Sequence, residues 1–161
     1  MSHWEREGVT DEWYTPKYIF DALEETFDLD VASPVDRRWC SVPAKKFLTS
    51  NSLESDWGGE FVWMNPPFGG RNGLIPWLDK IATHGNGIAL TPDRTSVKWW
   101  QDAAKNSDLL LFISPKVKFI RDDGLIGIKP GNGVTLFAYG NRAVEALKRA
   151  EKNGLGLVLK R

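Results

Sequence analysis

The sequence has a single cysteine, Cys40, so no disulfide can form within the chain. It has no excess charge of either sign: 21 Lys plus Arg stand against 21 Asp plus Glu. No general field therefore draws the protein onto nucleic acid or an anionic membrane, and any contact with a polyanion must come from a local patch. No apolar run approaches the ~20 residues that a membrane helix needs, and residues 1–11 are too polar and charged for a secretory leader. These absences point to a reducing, cytoplasmic setting without membrane contact. Internal repeats and low-complexity tracts are also missing. A length of 161 residues with 42% hydrophobic content suits one packed core, and a single domain over residues 1–161 is expected.

Apolar spacing gives the order of elements. Thr15-Pro16 followed by Ile19, Phe20, Leu23 and Phe27 reads as a helix start, with Thr15 as cap and Pro16 in the first helical position. Residues 28–33 suit a short strand, and residues 34–47, broken by Pro34 and Pro43, suit irregular chain. Phe61-Val62-Trp63-Met64 is a continuous apolar run of the kind buried on both faces of a sheet. Beyond it the spacing predicts helices over 72–82, 97–105 and 142–152, and strands over 87–90, 109–113, 117–120, 134–139 and 155–159. Such alternation predicts an α/β sheet covered by helices on both faces, mostly parallel with a late antiparallel strand. Residues 121–133, rich in Gly and Pro, are expected to form a mobile connection.

The most informative segment is Asn65-Pro66-Pro67-Phe68, directly after the apolar run. It puts an amide, a stiffened backbone and an aromatic ring just beyond a strand end, where open α/β sheets bind ligands. That set of groups suits methylation of the exocyclic N6 amine of adenine, a poor nucleophile because its lone pair is delocalised into the ring. If the Asn65 oxygen and the Pro66 carbonyl each accept one amino hydrogen, density returns to the nitrogen and its lone pair is aimed. Pro67 holds the turn rigid and Phe68 stacks on the base. A strand-ending turn with no further role is the plain alternative.

Around this motif the sequence resembles the phage-type DNA N6-adenine methyltransferase (Dam-like) family. The likeness runs through Glu12-Trp13-Tyr14-Thr15-Pro16, Phe27 to Ala32, Leu53 to Trp57, Phe61 to Phe68, Arg94 with Trp99-Trp100, and Lys118-Phe119, in that order. It implies a Rossmann-like sheet, S-adenosyl-L-methionine as cofactor, DNA as substrate and a phage or prophage setting. It also implies that Tyr14, Thr15 and Pro16 lie beside the methionine end of the cofactor, and that Asp56 accepts from the cofactor's adenine amine. Asp30, with Ala32 after it, lies in the first strand near its end, where an acidic group can meet the cofactor's amino group or, through neighbours, its ribose. The glycine-rich turn usual there is replaced by Ala32-Ser33-Pro34.

Arg71, Arg94, Lys98 and Lys118 are candidate phosphate contacts because they fall in or beside loops that follow predicted strands; Lys116, Arg121 and Lys129 share that pattern. A solvated mixed-charge surface is the alternative, given Asp93, Asp102, Asp122 and Asp123 nearby. Of Trp99 and Trp100, adjacent on one helix, either one is exposed or the two are buried against different neighbours. No metal is expected. Two rival functions stay open at this level: methylation of RNA adenine or protein glutamine by the same motif, and a non-catalytic single-stranded nucleic-acid binder that stacks bases on its tryptophans.

Overall fold

A computed structural model of the chain describes residues 13–67, 73–127 and 133–160. Among these residues the strands are β1 (Phe27–Asp30), β2 (Ala44–Phe47), β3 (Val62–Met64), β4 (Gly87–Pro92), β5 (Leu109–Ile113), β6 (Val134–Tyr139) and β7 (Gly156–Leu159). The helices are α1 (Lys17–Leu23), α2 (Ile75–His84), α3 (Lys98–Asn106) and α4 (Asn141–Lys152). One mixed sheet has the order β2-β1-β3-β4-β6-β5-β7. The first four strands pair in parallel, whereas β6 runs antiparallel to both β4 and β5, and β7 antiparallel to β5. Two late strands are thus reversed, and β5 points the same way as β1 to β4.

Helices cover both faces because the strand residues alternate between two apolar clusters. Phe61, Trp63, Ile88, Leu90, Leu136 and Ala138 join α1 and α4 on one side. Val62, Met64, Ala89, Phe137 and Tyr139 join α2 and α3 on the other. All six residues of β4 and of β6 are buried, as expected of strands covered on both faces. Trp99 and Trp100 are both buried, and Trp100 packs on the rings of Phe112 and Phe137.

Three local expectations are corrected. Residues 44–47, expected as irregular chain, form the edge strand β2, whose register Phe27 to Ala44 is set by β1. Its own residues, Ala44-Lys45-Lys46-Phe47, carry no apolar alternation, and the two lysines suit an exposed edge. Residues 117–120 form no strand; Ile120 makes only isolated bridges to Tyr14 and Ile126. Helix α1 begins with Pro16 as its cap residue and no side-chain cap, so Thr15 does not cap it. Of the connection over 121–133, residues 121–127 fold back tightly, with Arg121 N–H donating to Leu125 O at 2.8 Å. Residues 128–132, with Lys129, lie outside the described chain.

Candidate active site at the carboxyl edge of the sheet

The chain leaves β1 toward β2 on one side and later returns to form β3 on the other side of β1. Connections that diverge from neighbouring parallel strands open a crevice at their carboxyl ends, the usual ligand site of such sheets. Asp30, the last residue of β1, is in register with Trp63 of β3, and Asn65 follows two residues later. The two polar side chains therefore stand at the same edge on either side of this crevice.

Proline lacks the N–H that would continue a ladder, so Pro66 and Pro67 end β3 at Met64. Pro66 is buried, Pro67 exposed and Asn65 half-buried. The Asn65 Nδ2 donates to Thr15 Oγ1 at 3.1 Å. Thr15 is 4% exposed and sits immediately before Pro16, which is also buried. Its backbone is held through Tyr14, whose N–H donates to Ile120 O at 2.8 Å and whose carbonyl accepts from Ile120 N–H at 2.9 Å. The Tyr14 hydroxyl donates to the Asp36 carbonyl at 2.9 Å. Tyr14 thus ties together residues 13–16, the loop after β1 and the segment after β5. The Trp39 ring lies against Gly124 and the Trp13 ring against Gly127, and both rings are partly open to solvent.

Asp30 is 2% exposed. Its Oδ1 accepts from the Ala32 N–H at 3.2 Å, and its Oδ2 is 3.9 Å from Arg37 Nη1. Burial pushes its carboxyl up to about 6, against the opposing pull of the Ala32 N–H and the Arg37 charge. Arg37 also donates to Ser33 Oγ and lies over the Phe47 ring, 3.8 Å from its centroid. Sequence pattern did not single out Arg37 or Phe47: one lies in an irregular loop and the other ends the edge strand.

The family profile described as DNA N-6-adenine-methyltransferase (Dam) matches residues 2–134, which contain every residue of this crevice. The chain belongs to the DNA N-6-adenine-methyltransferase (Dam) family. It is also 24% identical over 121 residues to the DNA N-6-adenine-methyltransferase of Haemophilus phage HP1 (strain HP1c1), covering 70% of this chain and 68% of that protein. No solved structure matches it.

The remaining candidate residues of this Dam-family chain fall in different places. Arg94 follows β4, Lys98 opens α3 and Lys118 follows β5, so all three are at the carboxyl edge, and all three are exposed. Lys98 is already paired with Asp102 at 2.6 Å. Asp56 does not join the crevice. It lies with Asp79, Lys80, Thr83 and His84 against the C-terminal half of α2, and its Oδ1 accepts from Gly58 N–H at 2.8 Å, as in an ordinary Asx turn. Trp57 beside it is a core residue whose Nε1 donates to Ser52 O at 3.1 Å. Phe68 and Arg71 lie outside the described residues. No described helix is long and apolar enough to cross a membrane.

Proposed function

We propose that this Dam-family protein is a Rossmann-like methyltransferase domain that transfers a methyl group from S-adenosyl-L-methionine to the N6 amine of an adenine flipped out of DNA. The observation that carries this reading is that Asp30, in register with Trp63, and Asn65, two residues after Trp63, lie at the same carboxyl edge of β1 and β3. N6 cannot be reached within a stacked duplex, so the adenine must flip out unless the DNA is single-stranded at the target.

The chemistry of the groups present fits the cofactor. Asp30, a buried carboxylate at the end of β1, suits the cofactor's amino cation, with Ala32 next to it and Tyr14, Thr15 and Pro16 beside the methionine end. When bound, S-adenosyl-L-methionine supplies an activated methyl group. The chain's own residues then act on the amine. The Asn65 Oδ1 and the Pro66 carbonyl accept its two hydrogens, aim its lone pair and stabilise the positive charge that grows on nitrogen. The proton becomes acidic only as the new bond forms, and water can take it. Phe68 supplies a π-face for the extruded base.

Trp57, Trp63, Trp99 and Trp100 are buried, which takes four of the eight tryptophans away from the stacking surface that the rival binder needs and leaves Trp13 and Trp39 exposed. The deciding experiment offers labelled cofactor to DNA, RNA and protein pools. Label is expected in DNA as N6-methyladenine. Asn65→Ala should lower turnover by at least ~100-fold, the scale for losing one preorganised group at a developing charge, and leave cofactor affinity within a few fold. Label in RNA or protein alone, or wild-type activity in Asn65→Ala, would remove the reading.

A further inference from the structure

We propose that Thr15 is a positioning residue that acts through Asn65, holding the amide so that its oxygen, not its nitrogen, faces the target amine. The inference rests on the role of Asn65 given above and assigns a task to a side chain that touches neither the amine nor the methyl group.

An asparagine amide has two unlike ends, a carbonyl that accepts and an NH2 that donates. Only the carbonyl can take a hydrogen from an amine. Turned over, the amide would set its own N–H groups against those of the target, and the lone pair would lose its guide. A half-buried amide on a proline-stiffened turn needs something that fixes its orientation. The structure supplies it: Asn65 Nδ2 donates to Thr15 Oγ1 at 3.1 Å. The Thr15 side chain is almost wholly buried, and its backbone is clamped by the two Tyr14–Ile120 hydrogen bonds. The hydroxyl is therefore preorganised on a second segment, 50 residues away in sequence from the amide it holds. With one Nδ2 hydrogen held by Thr15, the amide is oriented so that Oδ1 is the acceptor end left for the substrate.

A carboxylate at position 65 has two equivalent oxygens and needs no such choice. This difference separates an orienting role from a merely structural one. Thr15→Val keeps the shape and removes the acceptor; Thr15→Ser keeps the acceptor. In the whole chain, Thr15→Val is expected to lower kcat by about 10- to 100-fold with KM for DNA within about threefold, while Thr15→Ser stays within about threefold of wild type. In an Asn65→Asp background, active at whatever level that change allows, adding Thr15→Val should cost less than about twofold. Thr15→Ala provides the same comparison if the valine variant does not fold, and calorimetry with the cofactor reports whether the neighbouring site survives. An equal penalty in both backgrounds, or no penalty with Asn65 present, overturns the role of Thr15. Failure of wild type to methylate DNA, or activity that survives Asn65→Ala, overturns the reading of the site itself.

Discussion

A carboxylate that is 2% exposed, with one backbone N–H and a guanidinium at 3.9 Å for company, is only partly compensated for the water it has lost. Asp30 therefore binds its proton more tightly when folded, near pH 6 against 3.8 unfolded. Since the folded value is the raised one, the favourable contribution is complete below pH 3.8 and is lost as pH rises through about 6. The shift corresponds to about 3 kcal/mol of stability given up by neutral pH. Asp30→Asn has no such titration. Its melting temperature relative to wild type should climb between pH 4 and 6 and level off above pH 7, as thermal melts across that range would record. A flat difference would mean that Asp30 titrates normally. The proposed function makes an opposite demand on the same residue, because only the ionised form attracts an amino cation. Cofactor affinity of the wild type should rise with pH through about 6, and Asp30→Asn should bind weakly at every pH.

At the scale of elements, the site depends on how closely β3 and β4 approach. Val62 pairs with Gly87, and a Cβ at Gly87 would lie 2.6 Å from the Val62 carbonyl oxygen. Both strands are buried, so neither can move aside without disturbing α1 and α4 on one face or α2 and α3 on the other. Gly87→Ala is expected to destabilise the fold by about 1 to 3 kcal/mol, the usual range for overpacking, seen as a lower denaturant midpoint with an unchanged slope. Because β3 carries Asn65, methyl transfer measured well below the melting temperature should fall as well. The edge strand β2 illustrates the opposite situation. Its residues are largely exposed and held by cross-strand pairs such as Lys45 with Asp28 at 3.5 Å, which leaves room for change.

For the whole molecule, zero net charge means that DNA must be held by a local patch and not by a general field, and the proposed function puts that patch at the carboxyl edge. Arg94 and Lys118 are the exposed cations there whose loss should show most clearly. Each change to Ala is expected to reduce the slope of log affinity against log salt by about 1, the signature of one released counterion, with little dependence on DNA sequence. Lys98→Ala should change it less, since Asp102 already offsets that charge. Salt titrations of the three variants on one duplex would compare them directly, and equal slopes throughout would place the DNA on another face.

The sequence by itself determined the layer architecture and the turn that ends β3. Apolar runs at 61–64, 87–90, 109–113 and 134–139 became buried strands, and Asn65-Pro66-Pro67 could end β3 in only one way, since proline cannot extend a ladder. These features are local: each is written in the period or chemistry of a few consecutive residues. The tertiary structure decided what those residues meet. Lys45 and Lys46 entered a strand because β1 offered an open edge, not because of their own pattern. Thr15, which reads as a helix cap, accepts instead from the Asn65 amide, and Asp56, close to β3 in sequence, went to the side of α2. Arg37 reached Asp30 only through the path of an irregular loop. Partners brought from distant parts of the chain leave no periodic trace, so hydrogen bonds and ion pairs of this kind appear only once the sheet has closed around them.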